Sequence, residues 1–197
     1  MTAKTDLRVK KSKYAIKNAF WNLLLAENFQ KITIKQIILE AQVNRATFYK
    51  YYANKYELLD SVENDLMTEF EKMTAKAPNS LFNNDFEDKQ LDNYYHQLVQ
   101  YIYKNGAKFS ALLNSDNGST FINKLISTDK KVWQQKKIEK YLSVPERYAL
   151  AAMIGMATNL ITEWVKSDFQ ETPQEFSNVM RKIITPLLSN QSFFKKK

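Results

Sequence analysis

The segment QVNRATFYKYYANKYELL, residues 42–59, sets four tyrosines and a phenylalanine among Arg45, Lys50 and Lys55, with no acidic residue before Glu57. Tyrosine offers a rigid apolar body with a polar tip. Arginine offers a planar fork of donors, and lysine a mobile point charge. Rings, hydroxyls and cations so closely spaced suit a polyanionic surface better than a core or a merely solvated face. Catalysis has little to draw on elsewhere. His96 is the only histidine, there is no cysteine, and the acidic residues scatter without a paired arrangement. No Gly-rich loop follows a strand pattern. The chain is expected not to be an enzyme, to bind no metal and to carry no cofactor.

The charge distribution supports the same reading. Residues 1–60 hold 11 Lys or Arg against 5 Asp or Glu, a net of +6, whereas the remaining 137 residues carry only +2 of the total +8. A basic end on a nearly neutral body points to nucleic acid or an anionic membrane surface. A solvated tail would account for Lys4 to Lys17, but not for Lys35, Arg45, Lys50 and Lys55, which stand inside patterned sequence. The most apolar run, ALAAMIGMATNLI (149–161), is shorter than the roughly 20 residues a spanning helix needs. With no secretory pattern at the start and no cysteine, a soluble, cytoplasmic chain is expected.

Helical periodicity dominates and no segment alternates strictly, so the fold class is all-α. A first helix is expected from about Ser12 to Asn28, with Ile16, Ala19, Phe20, Leu23 and Leu24 on one face. Thr33-Ile-Lys-Gln36 reads as a capping box, flanked by Ile32 and Ile37 as a hydrophobic staple. Asn44 is a second N-cap with Val43 and Phe48 as its staple, and Asn54-Lys-Tyr-Glu57 a third box. Two short helices on a tight turn, supported by a longer one, form a helix-turn-helix. A polar stretch at 74–90 follows. Helices are expected at 91–104, 106–114 and 120–142, with a loop at NSDNGS between the last two. Ser143-Val-Pro-Glu146 should cap a helix to about Ser167, and Thr172-Pro-Gln-Glu175 the last helix, which carries Phe176 through Leu187 and Leu188. The helix at 145–167 is apolar on two faces, Ala149–Met153–Met156–Leu160–Trp164 and Ala151–Ile154–Thr158–Ile161–Val165. One face suits the chain's own core and the other a second protomer. Gly155 in mid-helix suits close helix approach.

In a helix-turn-helix the start of the second helix enters the major groove. Arg45 can give two hydrogen bonds to guanine O6 and N7, and Ala46 allows close approach to a thymine methyl. Thr47, Tyr51 and Lys55 suit phosphate oxygens. Packing within the small domain is an equal alternative for Tyr51, Tyr52 and Tyr56, while Tyr49 and Lys50 are expected on the DNA.

The run TIKQIILEAQVNRATFYKYYANKYELL resembles the DNA-binding domain of the TetR family of transcriptional regulators. The segments YIYKNGAKFSALLN, FINKL and GMATNLITEWVKSDFQETPQEFSNVMRKIITPLL resemble the C-terminal domain of a subgroup from low-GC Gram-positive bacteria. The resemblance implies a helix-turn-helix domain over residues 1–60 and a helical regulatory and dimerisation domain over 61–197. It implies base reading by Arg45, Ala46 and Tyr49, with Lys35 reaching from the preceding helix. Phosphate contacts are implied for Thr33, Asn44, Thr47, Lys50, Tyr51 and Lys55. It further implies a homodimer through the last two helices, a double-stranded operator and a small-molecule effector of unknown identity. Tyr101, Phe109, Trp133, Met153 and Met156 are candidates to line the effector pocket, with ordinary core as the alternative for each. Such proteins are mostly repressors, with activators and co-regulators as the alternative. Gln42 departs from the glycine common in the turn.

Overall fold

The computed structural model describes residues 3–78, 88–115 and 118–189. Parts of the polar stretch at 74–90 and of the NSDNGS loop lie outside them, as do the side chains of Leu187 and Leu188. The chain divides into two compact units, Met1–Leu66 and Met67–Lys197, and the division falls inside a helix, six residues beyond the expected boundary at 60.

The first unit holds α1 (Ala3–Ala26), α2 (Ile34–Glu40), α3 (Arg45–Tyr51) and the start of α4 (Lys55–Thr74). Helix α1 begins well before Ser12. Its early residues are mostly helix-tolerant Ala, Leu, Lys and Arg, which extend a helix without an apolar stripe to announce it. Ile16, Ala19, Phe20 and Leu24 are buried as expected, and Leu23 is half-buried. They enclose a small core with Ile32, Ile37, Phe48, Tyr52 and Leu58.

Caps fix where the short helices begin. The Thr33 hydroxyl accepts from the Gln36 N–H at 3.2 Å, while the Gln36 side chain accepts from the Thr33 N–H at 2.8 Å. Asn44 Oδ1 accepts from the Thr47 N–H at 2.7 Å. Asn54 Oδ1 accepts from the N–H groups of Tyr56 and Glu57, both at 2.9 Å. The third box is not reciprocal in the expected way, because the Glu57 carboxylate accepts from Ala53 N–H at 2.6 Å. Each cap contributes about 1 kcal/mol.

The turn between α2 and α3 closes on Gln42, whose φ is +51°. Gln42 N–H donates to Leu39 O and Val43 N–H to Ile38 O, both at 3.2 Å, which is a Schellman ending with Gln42 in the left-handed position. The absent glycine therefore has a physical cost, and the backbone adopts the glycine conformation regardless.

The second unit holds the end of α4, then α5 (Asp88–Lys104), α6 (Gly106–Leu113), α7 (Gly118–Gln135), a 3-10 turn (Ile138–Tyr141), α8 (Glu146–Lys166) and α9 (Pro173–Ser189). The single helix expected over 120–142 is interrupted, because Lys137 turns to a φ of +53° and the chain resumes as the 3-10 turn. The expected Ser143 box is also corrected. Helix α8 starts at Glu146 with Pro145 in the cap position and no side-chain cap bond. The Thr172 box on α9 forms, with Thr172 N–H donating to Glu175 at 2.8 Å and Glu175 N–H to Thr172 at 3.3 Å.

Helix α8 ends in a second Schellman motif, Phe169 N–H to Trp164 O at 3.0 Å and Asp168 N–H to Val165 O at 3.1 Å. It folds the Phe169 ring onto Trp164, which also stacks on Phe176 at 4.1 Å between centroids. A Cβ on Gly106 would come within 2.7 Å of the Phe169 ring, so a larger residue there would displace it. On α8 the two expected stripes are both largely internal: Ala149, Met153 and Trp164 are buried, and so are Ile154, Thr158, Ile161 and Val165. The outward line is a third one, Tyr148, Ala152, Gly155 and Asn159. Among the described residues nothing stands within 4 Å of a Cβ built on Gly155. Among the described residues no helix is long and apolar enough to cross a membrane.

Candidate nucleic-acid interface

Helix α3 carries the candidate reading residues, and its orientation follows from two anchors. Phe48 is fully buried and Tyr52 is 4% exposed, so that side of the helix faces the core. Arg45, Ala46, Tyr49 and Lys50 lie on the other side and are exposed; Thr47 and Tyr51 are half-buried. Tyr49 is held edge-on against Phe48 at 5.5 Å while remaining 43% exposed. The Arg45 guanidinium lies 5.4 Å from the Tyr49 ring centre. A ring that is fixed by the core thus supports the guanidinium from below, which limits its rotamers before any ligand arrives.

Cations gather around Tyr51 in the same way. Lys13 of α1 and Lys50 of α3 stand 5.6 and 5.8 Å from its ring centre. Asn44 uses its amide oxygen on the cap, leaving its amide nitrogen as a donor beside Arg45. Lys35 is exposed on α2. Residues 42–56 carry no acidic side chain and hold the exposed donors Asn44, Arg45, Tyr49 and Lys50.

Two expected phosphate ligands are otherwise engaged. Lys55 donates to three backbone carbonyls in the loop between α1 and α2, Phe29 and Gln30 at 3.0 Å and Ile32 at 2.9 Å. Its ammonium also lies 4.6 Å from the Phe29 ring centre. All three donors are satisfied within the unit, so the residue positions the loop. The Thr33 hydroxyl donates to Gln36 Oε1 at 2.7 Å while accepting from its N–H, and acts as a cap. Tyr56 packs edge-on against Phe29 at 5.2 Å.

The second unit contains a mostly apolar cavity of about 50 Å³ among α4, α5, α7, α8 and α9. Trp133 and Met153, two of the candidates for an effector pocket, line it. Tyr101, Phe109 and Met156 are not part of its lining. Phe109 is fully buried in an aromatic cluster with Phe70, Tyr101 and Phe121. The lining adds residues that sequence reasoning missed, chiefly Asp129 and Tyr94. Asp129 could have been found by stepping along α7: Phe121, Leu125, Asp129 and Val132 share one buried stripe. Burial alone pushes its carboxyl up to about 7.

Residues 18–62 match the model of bacterial regulatory proteins of the tetR family, and residues 89–186 match a transcriptional regulator C-terminal region of the same family. The chain belongs to the TetR family of transcriptional regulators. A TetR transcriptional regulator from Streptococcus agalactiae is 23% identical, with a TM-score of 0.66 over 94% of this chain and 98% of that one. The Pseudomonas aeruginosa protein NalD, secondary repressor of the MexAB-OprM multidrug efflux pump, is 17% identical, with a TM-score of 0.66 over 96% and 100%. At these identities the likeness is one of fold. The HTH-type transcriptional regulator YxbF of Bacillus subtilis is 22% identical over 86% of this chain, which spans 44% of that relative's length. The tetR match ends at residue 62, near the division at Leu66, and takes in all of α2 and α3.

Proposed function

We propose that the protein is a homodimeric repressor that binds a short pseudo-palindromic operator in the cytoplasm and releases it when a small molecule enters the second unit. The observation that carries this reading is the exposed Arg45–Tyr49 pair on a helix whose start is fixed by Asn44 and whose back is fixed by Phe48. Such a helix can present Arg45, Ala46 and Tyr49 to base edges. Lys35, Asn44, Thr47, Lys50 and Tyr51 surround it with phosphate donors, and Thr33 and Lys55 hold the frame that supports them.

Dimerisation would cover the outward side of the last two helices. Helix α8 leaves Ala152 exposed and Gly155 without a close contact among the described residues, and α9 leaves Ile183 40% exposed. Small residues allow a second helix to approach closely. A two-fold dimer would then present two copies of α3 to two half-sites. An effector can release DNA only by binding one dimer conformation more tightly than the other.

The test is binding to duplex from upstream of the protein's own coding sequence against a scrambled duplex, titrated with salt. Preference for the natural duplex, with a steep fall of affinity as salt rises, is expected. Equal affinity for both duplexes would remove the specific-repressor reading.

A further inference from the structure

The cavity in the second unit combines features that point to a class of ligand. Asp129 reaches it from α7 and is only 8% exposed. No hydrogen bond from the described residues reaches its carboxyl, and no basic side chain lines the cavity. Of the nearby lysines, Lys131 on α7 pairs with Glu71 at 2.8 Å, Lys136 just beyond the helix donates to the Ala77 carbonyl at 2.7 Å, and Lys130 is exposed. A carboxyl kept at 8% exposure beside an apolar cavity, with no hydrogen bond from the described residues, is an arrangement that functional sites retain and ordinary cores avoid. Aromatic rings stand around it, Tyr94 and Tyr95 from α5 and Trp133 one turn along α7. Rings in that position favour a cation over a neutral polar group. Met153, Ile154 and Ile161 of α8 complete an apolar wall. The cavity is small, about 50 Å³, which suits a slender chain.

We propose that this cavity is a site for a short-chain protonated amine, whose ammonium pairs with the Asp129 carboxylate and whose hydrocarbon tail lies along Trp133, Met153 and Ile154. The proposal rests on the effector reading above and names the chemistry of the effector. The amine supplies the carboxylate with a cationic partner. A neutral isostere such as an alcohol fills the same volume but leaves the carboxyl uncompensated.

The experiment is calorimetry on the full chain with n-butylamine, n-hexylamine and n-octylamine, each against the matching alcohol, repeated with Asp129→Asn. The expected result is at least tenfold tighter binding of one amine than of its alcohol in the wild type, with the ratio falling below threefold in the variant. Equal binding of amine and alcohol by the wild type would overturn the proposal, as would retention of the amine preference by Asp129→Asn or failure of every chain length to bind. Should the variant not fold, wild-type titrations at pH 5.5 and 8 decide the matter. The other titratable groups facing the cavity are Tyr94 and Tyr95, and α8 and α9 contribute none. The amine should therefore bind more weakly at pH 5.5 while the alcohol is unaffected, and an amine affinity flat across that range would count against the site. Operator occupancy is measured separately. An amine that binds through Asp129 without releasing DNA would support the site and remove the effector role.

Discussion

At the scale of single residues, burial decides which charged groups are free to act. Arg45 is exposed and supported by a ring, whereas Lys55 is committed to three carbonyls. Lys55→Met should lower the melting temperature by several degrees and weaken DNA binding by loosening the loop, while leaving the salt dependence of binding unchanged. A direct phosphate ligand would instead lower the slope of log affinity against log salt by about 1. Asp129 gives a prediction in pH. Its carboxyl titrates near 7 in the fold, against 3.8 for an ordinary aspartate. Between those values the unfolded chain has released a proton that the folded chain retains, so stability falls as pH rises from about 4 to about 7 and levels above. Asp129→Asn should thus gain little at pH 4 and up to about 4 kcal/mol at pH 8, by denaturant unfolding at each pH. A constant gain across that range would contradict the assignment. Neither residue's role stood in its local sequence. The Lys55 acceptors lie 23 to 26 positions away, and Asp129 hides in the polar run STDKK, where only the stripe from Phe121 and Leu125 marks it as internal.

At the scale of elements, local chemistry was legible wherever a side chain bonds its own backbone. The boxes at Thr33 and Thr172 and the cap at Asn44 formed because both partners lie within three residues. Asn44→Ala should cost about 1 kcal/mol and fray the start of α3. Circular dichroism melts would show the loss. Gln42→Gly should raise the melting temperature by about 2–4 °C, since glycine takes the left-handed conformation without strain. A lowered melting temperature would mean that the Gln42 side chain makes a contribution larger than the strain. What the sequence obscured at this scale were boundaries set by competition. The N-terminal turns of α1 carry no apolar stripe, and the Ser143 box lost to Pro145, whose fixed φ starts α8 by itself.

At the scale of the molecule, the helix-turn-helix and the all-α class were readable from periodicity and caps, because short helices with local signals dominate the first unit. The cavity of the second unit was readable only in part. Trp133 and Met153 line it, but apolar and aromatic residues at helical spacing look alike whether they face a cavity or a filled core, as Phe109 does. The outward face of α8 is a similar case, since two apolar stripes share one helix and only packing shows that both turn inward and a third line is left outside. Sedimentation at micromolar concentration should find a dimer, and Gly155→Leu should shift it toward monomer without unfolding the chain, since among the described residues nothing lies within 4 Å of a Cβ there. A wild-type monomer would contradict the proposed interface. The central claim, that α3 reads bases through Arg45, is tested most directly by selecting bound duplexes from a randomised pool with the wild type and with Arg45→Ala. The account predicts a two-fold symmetric site for the wild type, and for the variant the same spacing with discrimination reduced by about 1–3 kcal/mol at one or two positions in each half. Uniformly weaker binding with the base preferences intact would contradict it.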